Sequence, residues 1–272
     1  MFSIVKGFVA RLVIYLKYLV LRILAFFCEM VGLVSKATNP EGTFDGEEFP
    51  LYQELFAGRR ISLSIIDVGA NYGYWAKTFS EILPEHELRI ECIEPIPHFY
   101  DAIVEMGISK VRSHNLGISK NEREIRVARV GGGGTSFPDE SSTKSVNWIR
   151  VPAMTGDLFV NRLSLKPNLI KIDTDGFDLD VLTSFKDTLQ STRPFVQFEY
   201  TFRFARRANY TLKSVIEFLE KYNYKTYVIT SDSTLRKIIS PRLEVLNHQT
   251  KNFFAVPAHF ARHPEQAPRT LF

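Results

Sequence analysis

Cysteine is scarce in this chain, with only 2 Cys among 272 residues. Cys28 lies in an apolar run and Cys92 in a predicted strand, so neither belongs to a spacing typical of a metal site or a disulfide framework. This scarcity favours a reducing compartment, the cytoplasm. With 45% hydrophobic and 24% charged residues, the chain is neither disordered nor collagenous. At this length we expect one α/β domain with additions.

An excess of one charge sign is missing from most of the chain. The net charge is +4, and residues 1–36 account for all of it, because their basic residues are opposed by Glu29 alone. The remainder holds as many acidic as basic residues. A sequence-independent nucleic-acid binder carries its basic excess on the folded body, where it replaces counterions along phosphates. Nucleic acid is therefore not expected as a partner.

A charge-free apolar run long enough to span a membrane is also absent at the amino terminus. Residues 2–34 are largely apolar but carry Lys6, Arg11, Lys17 and Arg22 at regular intervals. Each cation at hydrocarbon depth would cost roughly 2.5 to 3.5 kcal/mol. On a helix these cations border one arc and leave an apolar face opposite.

This pattern predicts an amphipathic helix over residues 1–38 that binds a membrane surface through residues 1–34. Packing of the helix on protein is the alternative, since amphipathicity does not identify the surface that covers the apolar face.

The rest of the chain alternates between strand and helix patterns. Residues 39–60 are interpreted as a linker and lead-in, residues 61–258 as the folded domain and residues 259–272 as an irregular tail. Apolar and β-branched runs alternate with helically spaced ones, which predicts a doubly wound, Rossmann-like α/β sheet of parallel strands. Between residues 117 and 154, alternating segments around the glycine run 131–134 predict a hairpin insertion.

Two motifs predict a nucleoside-containing ligand. A buried strand ends at Asp67, and Gly69 and Gly73 let the following turn approach a ligand at a helix amino terminus. The spacing differs from the G-x-G-x-x-G dinucleotide fingerprint. Asp67, at the start of the turn, can accept hydrogen bonds from an ammonium group, so a ligand with an amino-acid moiety is expected. Glu94 ends the next strand, where doubly wound folds place the acid that holds ribose hydroxyls.

A third motif is an acidic cluster. Asp173, Asp175 and Asp178 follow a core strand, and Glu199 ends a later one, at the edge where open α/β sheets bind ligands. Asp178 is predicted either to belong to the site or to cap the next helix. No His accompanies these acids, so we predict no resident metal, although carboxylates alone would suit a hard cation such as Mg²⁺.

Together the three motifs resemble the FkbM-type family of S-adenosylmethionine-dependent methyltransferases. The resemblance rests on D-V-G-A-N-Y-G from Asp67, I-E-P from Ile93 and K-I-D-T-D-G from Lys171. It implies the class I methyltransferase fold, a seven-stranded sheet with its last strand antiparallel. The sequence departs from the family pattern at Asp175 and Asp178, where Glu is common, and at Thr155-Gly156-Asp157, where T-L-D is usual.

The resemblance also implies S-adenosyl-L-methionine as cofactor, with its methionine end on the glycine turn, its ribose on Glu94 and its adenine near residues 115–116. The predicted cofactor-binding residues are Asp67, Gly69, Ala70, Asn71, Gly73, Glu94, Asn115 and Leu116. A hydroxyl acceptor benefits from a base that takes its proton. Asp173 is the first candidate, followed by Asp175, with Glu199 and His98 behind.

We therefore predict a cytoplasmic, peripherally membrane-associated O-methyltransferase. Its acceptor is expected to be a hydroxyl of a sugar in a lipid-linked or surface glycan, by analogy with the family and from the membrane helix. The alternatives are a Mg²⁺-assisted methyltransferase of a small molecule and a non-catalytic, membrane-associated scaffold with the same fold. Arg203, Arg206 and Arg207 are predicted either to hold a phosphate or uronate of the acceptor or to form a solvated helix face.

Overall fold

The computed structural model describes residues 48–56, 62–120, 123–129, 147–231, 233–238 and 250–260. The predicted amphipathic helix, the glycine run and most of the predicted tail lie outside these residues. Within the described part of the chain, no helix is both long and apolar enough to cross a membrane.

Short helices and strands alternate along most of the described chain. In chain order they are α1 (Phe49–Phe56), β1 (Leu63–Val68), α2 (Tyr74–Ile82), β2 (Leu88–Ile93), α3 (Pro97–Glu105), β3 (Val111–His114), β4 (Gly117–Ile118), β5 (Glu124–Arg129), β6 (Asn147–Met154), α4 (Gly156–Arg162), β7 (Leu169–Ile172), α5 (Asp178–Thr183), α6 (Lys186–Ser191), β8 (Phe195–Tyr200), α7 (Phe202–Arg207), α8 (Leu212–Lys221), β9 (Tyr224–Ile229), β10 (Leu235–Lys237) and β11 (Lys251–Pro257).

The main sheet has the strand order β10-β9-β11-β8-β7-β1-β2-β3. Strands β3, β2, β1, β7 and β8 pair in parallel, and β11 runs antiparallel between β8 and β9. This confirms the predicted doubly wound fold and its antiparallel last strand. The sheet has one strand more than the resemblance implies, because β10 adds to the edge at β9. Since β1, β2, β7 and β8 are neighbours, their carboxyl ends meet at one edge.

The predicted hairpin insertion is present as β5 and β6, which pair antiparallel from Glu124 opposite Pro152 to Arg129 opposite Asn147. Its apolar side packs on the beginning of α3, where Val127 meets Phe99 in a small separate core. The hairpin is therefore positioned above the carboxyl ends of β1 and β2.

Helix α1 lies in the segment that the sequence analysis treats as linker and lead-in. Its apolar residues recur at helical spacing, and Tyr52 is fully buried. The Tyr52 ring lies 5.7 Å from the Trp75 ring and 5.2 Å from the Phe79 ring. The helix thus covers α2, and it belongs to the same compact unit as the sheet, residues 46–272.

Residues 179–189 have the local pattern of one continuous helix, but the structure has two helices there, α5 and α6. The break follows Thr183, where the carbonyl of Ser184 accepts a 2.9 Å hydrogen bond from the Asp157 amide and its hydroxyl accepts one of 2.9 Å from the Gly156 amide. These bonds satisfy amides that the start of α4 leaves without helical partners. A contact distant in sequence thus overrides the local helical pattern.

Candidate functional site

A cavity of about 330 Å³ opens where the carboxyl ends of β1, β2, β7 and β8 meet. Its size lies in the range of small-molecule sites. Its lining comes from the loops after these strands, from α3 and from the hairpin; it comprises Val68, Gly69, Asn71, Ile93, Glu94, Pro95, Phe99, Gly117, Ile118, Ser119, Ile125, Val127, Asp173, Thr174, Asp175, Phe177, Val181 and Glu199.

The turn after β1 depends on a glycine. Gly69 has a φ of 81°, a conformation that side chains rarely adopt. A Cβ at this position would overlap the carbonyl oxygen of Asp173. Gly69 therefore brings the glycine turn into direct contact with the backbone that carries the acidic cluster.

Glu94 is held by backbone amides of two segments. Its Oε2 accepts a 2.8 Å hydrogen bond from the Asn71 amide and its Oε1 a 2.9 Å bond from the Ile96 amide. Burial raises the pKa of Glu94 to about 7, and the side chain lines the cavity. Because a carboxylate offers about four acceptor positions, Glu94 retains capacity for a pair of ligand hydroxyls. Asn115 donates to the Glu94 carbonyl at 3.0 Å.

Asp67 is fully buried and does not line the cavity. The ammonium group that meets it is that of Lys171, with Nζ 3.2 Å from Oδ1. Burial raises the pKa of Asp67, and Lys171 opposes that rise. Burial alone would lower the pKa of Lys171, but Asp67 and Asp173 reverse this and raise it. The pair is therefore an internal ion pair beneath the glycine turn.

Lys171 also reaches the acidic cluster, because its Nζ lies 3.3 Å from Asp173 Oδ2. The same Nζ lies 5.6 Å from the centre of the Trp75 ring, within cation–π range. The sequence analysis assigns Lys171 no role. The available signal was a lysine in an otherwise apolar core strand, two residues before Asp173 and hence on the same side of the strand.

Asp173, Asp175 and Glu199 form the acidic cluster that was predicted from the strand ends. Each has a carboxylate oxygen within 4.8 Å of one on each of the others. Burial raises the pKa of Glu199 well above its usual value, and the nearby Asp173 adds to the rise. The loop that presents Asp175 is tightly turned, with a φ of 50° at that residue. These three oxygens are also those that could hold a hard divalent cation.

Asp178 closes the loop after β7. Its carboxylate accepts hydrogen bonds from the amides of Thr174 at 3.2 Å and Gly176 at 3.1 Å, and from the Tyr210 hydroxyl at 3.2 Å. Burial raises its pKa to about 7, with a further contribution from Asp173. Asp178 fits neither predicted interpretation, because it is the first residue of α5 and is absent from the cavity lining. Its carboxylate accepts hydrogen bonds from the loop that precedes the helix, and so it shapes that loop.

Of the predicted site residues, the structure brings six to the cavity: Gly69, Asn71, Glu94, Asp173, Asp175 and Glu199. Six others, including the fourth-ranked base, are not among the lining: Asp67, Ala70, Gly73, His98, Asn115 and Leu116. Ala70 is buried in the core, Leu116 packs against the other core, and Gly73 precedes α2 with a φ of 78°. The exposed His98 packs edge-on against Tyr72, at 5.9 Å between ring centres.

The structure also shows lining residues that were not predicted. Phe99, Ile125 and Val127 form an apolar wall from α3 and the hairpin. Thr174 lies between the glycine turn and the acids, and its buried Oγ1 has no hydrogen-bond partner among the described residues. A buried hydroxyl without a partner is rare, so Thr174 offers a bond to a bound molecule.

The cavity thus combines an apolar wall, a carboxylate suited to ribose hydroxyls and a cluster of acids. The Methyltransferase FkbM domain matches residues 67–226, more than half of the chain. The chain belongs to the FkbM family of S-adenosylmethionine-dependent methyltransferases. No curated protein matches this FkbM methyltransferase.

The solved structures that resemble this chain have low sequence identity to it. The methyltransferase FkbM from Methylobacillus flagellatus KT is 13% identical with a TM-score of 0.47, and the match covers 75% of this chain and 47%, about half, of that one. The plantazolicin methyltransferase BpumL in complex with SAH is 13% identical with a TM-score of 0.45, over 84% of this chain and 89% of that one. Precorrin-6y C5,15-methyltransferase from Geobacter metallireducens GS-15 is 13% identical with a TM-score of 0.39, over 75% and 83%.

Proposed function

We propose that this FkbM methyltransferase transfers a methyl group from S-adenosylmethionine to a hydroxyl oxygen on a sugar of a lipid-linked or surface glycan. The observation that supports the transfer to oxygen is the contact of Gly69 with the Asp173 backbone, together with the presence of both residues in the cavity lining, so that an acidic residue adjoins the cofactor turn. The glycan acceptor is supported by the family and by the predicted membrane helix, which are analogies.

The residues of the cavity divide the work of binding. Glu94 would accept hydrogen bonds from the ribose hydroxyls of the cofactor, and the Phe99 side of the cavity would cover its adenine ring. Thr174 Oγ1 gains the partner that it lacks. When bound, S-adenosylmethionine supplies a methyl group activated by a sulfonium. Displacement at such a methyl depends chiefly on in-line placement of the acceptor oxygen.

Asp173 is the base in this proposal. Asp173 would take the proton of the acceptor hydroxyl as its oxygen accepts the methyl group that S-adenosylmethionine would supply. Lys171 Nζ lies 3.3 Å from Asp173 Oδ2 and holds that carboxylate in place. Burial and Asp173 both favour a protonated Glu199, so Glu199 donates within the cluster and is not the base.

Calorimetry on the full chain tests cofactor binding. We expect one S-adenosylmethionine per chain, and Glu94→Ala should weaken binding by about 1.5 to 3 kcal/mol, the range for hydrogen bonds to a charged group. Glu105→Ala, at the exposed end of α3, is the matched control. A folded wild type that binds no cofactor would overturn the enzyme and favour the scaffold alternative.

Mass spectrometry of surface glycans tests the acceptor. Cells with the gene should carry a glycan that differs by one methyl group from that of cells without it. Restoring the gene as Asp173→Asn should fail to restore that methyl group. Identical glycans in all strains would contradict the glycan acceptor while leaving cofactor binding untouched.

The acidic cluster specifically favours a second candidate, Mg²⁺-assisted methylation of a small molecule, because three carboxylate oxygens lie within 4.8 Å of one another. EDTA distinguishes the two chemistries. Unchanged methyl transfer after chelation supports the metal-free reaction, whereas loss of transfer that Mg²⁺ restores supports the second.

The proposed location is the cytoplasmic face of a membrane, reached through residues 1–34. Flotation of the full chain with anionic liposomes tests it. Leu12→Asp with Leu16→Asp should abolish flotation, because both leucines fall on the apolar face of the predicted helix. Changing Lys6, Arg11, Lys17 and Arg22 together to Gln should weaken flotation and reduce its salt dependence, at about 1 kcal/mol per cation. A wild type that does not float would show a helix that packs on protein.

A further inference from the structure

A short basic helix adjoins the acidic end of the cavity. Helix α7 begins three residues after Glu199, a cavity residue, and carries Arg203, Arg206 and Arg207. Residues three and four apart share one face of a helix. All three arginines are exposed, so they form one basic face, which we call the arginine face.

Packing fixes this helix against the cavity loop. A Cβ on Gly176 would lie 2.9 Å from Phe204 Cβ and 3.2 Å from the Phe204 carbonyl oxygen, so α7 touches the loop immediately after Asp175. Ala205, on the inner side of this helix, is fully buried. The following segment is tied to the same loop by the hydrogen bond from Tyr210 to Asp178. The position of α7 beside the cavity loop is therefore fixed by contacts in its middle and in the segment that follows it.

Two of these guanidinium groups have no partner within the part of the chain that the structure describes. Arg203 and Arg206 take part in none of the ion pairs there. Two other cations near the cavity are engaged, since Lys120 lies 3.1 Å from Asp180 and Arg126 lies over the Trp148 ring. Arg203 and Arg206 are separated by only about 4.5 Å along the helix axis, which lets both reach one tetrahedral anion.

Charge arrangement indicates what this face recognises. The floor of the cavity is acidic and would repel an acceptor that is anionic at the reacting hydroxyl. An acceptor with a neutral reacting hydroxyl and an anionic group farther along the molecule suits both the acidic end of the cavity and the arginine face. Its anion would contact the arginines while its hydroxyl contacts Asp173. Arginine forks match phosphate oxygens in paired hydrogen bonds.

We propose that the acceptor of this enzyme carries a phosphate group and that Arg203 and Arg206, on the helix that packs against the cavity loop, bind that phosphate. This inference rests on the proposed methyl transfer and narrows its acceptor to phosphorylated molecules. The phosphate belongs either to a lipid carrier or to a soluble sugar phosphate.

Arginine labelling of the full chain tests the proposal. Phenylglyoxal modification mapped by peptide mass spectrometry should fall severalfold at Arg203 and Arg206 when glucose 1-phosphate is present. Arg162 is the matched control, because it is exposed and ends a short helix, α4, that contributes no residue to the cavity lining. A second probe, a lipid phosphate, is described below. The proposal is overturned if, with both probes, labelling falls equally at all three arginines or falls at none of them.

Polyprenyl phosphate in phosphatidylcholine vesicles is the lipid probe, with phosphatidylcholine alone as its blank. Protection of Arg203 and Arg206 by this probe assigns the phosphate to a lipid carrier, and protection by glucose 1-phosphate assigns it to a soluble acceptor. Either result supports the proposal.

Binding measurements separate this inference from the proposed function. Arg203→Gln with Arg206→Gln should lower the affinity for the phosphate probe that gave protection by about tenfold or more, the effect of a charge-assisted hydrogen bond. Arg162→Gln should leave that affinity unchanged. The affinity for S-adenosylmethionine should stay unchanged in both variants. If the wild type binds the cofactor and the double variant binds the phosphate as tightly as wild type, the arginine inference fails alone. If no cofactor binds, the proposed function fails.

Discussion

The carboxylates at the two ends of the cavity have different hydrogen-bonding and charged neighbours. At the cofactor end, backbone amides hold Glu94 at 2.8 and 2.9 Å, and Asp67 beneath it pairs with Lys171. At the acceptor end, Asp173, Asp175 and Glu199 face one another within 4.8 Å. A carboxylate that must bind is thus positioned in advance, whereas carboxylates beside like charges are suited to hold or accept a proton.

The largest expected effect lies at the acceptor end. Asp173→Asn removes the proposed base and should lower turnover at saturating cofactor by roughly 10² to 10⁴, with cofactor affinity nearly unchanged. Asp187→Asn on the exposed side of α6 is the matched control and should leave turnover unchanged. Equal losses in affinity and turnover would move Asp173 to the cofactor end and erase the contrast between the two ends.

Lys171 joins the two ends, so its removal tests whether they are linked. Lys171→Met leaves Asp67 buried without its cation and should lower the free energy of unfolding by about 3 to 5 kcal/mol, measured by urea denaturation. Lys171→Met with Asp67→Asn should recover part of that loss. The exposed Lys166→Met is the control. A loss no larger than that of the control would show that Asp67 does not depend on the ion pair.

Glu94 provides a pH test of the cofactor end. Its pKa of about 7 in the folded protein exceeds the usual 4.5, so the folded state binds this proton more tightly than the unfolded state. The resulting stabilisation is fully present below about pH 4.5 and is lost as the pH rises through 7, up to about 3 kcal/mol.

In Glu94→Gln this contribution is gone, so the free energy of unfolding should fall less steeply between about pH 4.5 and 7 than in wild type. Urea denaturation at a series of pH values measures the slope. Asp178→Asn is informative beside it, since the pKa of Asp178 is also about 7. Parallel curves for wild type and Glu94→Gln would contradict the assigned role of burial.

The smallest effect is expected where the ends meet, at Thr174. Thr174→Val keeps the side-chain shape and removes a hydroxyl that has no partner, so stability should not fall. Affinity for S-adenosylmethionine should fall by about 1 kcal/mol, measured by calorimetry. The control is Thr183→Val, whose hydroxyl donates to the Asp180 carbonyl at 2.8 Å. Unchanged cofactor affinity in Thr174→Val would place its hydroxyl outside the cofactor end.

Local pattern was sufficient for the frame of this protein. The alternating apolar runs predicted the doubly wound sheet, and the motif at residues 67–73 predicted the turn that lies on the cavity. Glu94 and the acids at 173, 175 and 199 were found because strand ends of a parallel sheet share one edge. Gly69 was recognisable for a local reason, since its positive φ requires glycine.

Local pattern failed wherever a distant contact decides the outcome. Helix α1 is short and is held by the rings of α2, and the break after Thr183 serves the amides of α4. Both features require knowledge of which elements become neighbours. The segment 49–56 shows helical spacing, but its eight residues are too few to be stable as a helix without that packing.

The sequence by itself determined the fold class, the family and the edge of the sheet that carries the chemistry, because hydrophobic periodicity and turn residues act over short separations. Only the tertiary structure decided which charges face each other. Lys171 and Asp67 are 104 residues apart and meet because β1 and β7 are adjacent strands with these residues in register. The physical reason is that a buried charge needs its partner in space, and no spacing along the chain specifies that partner.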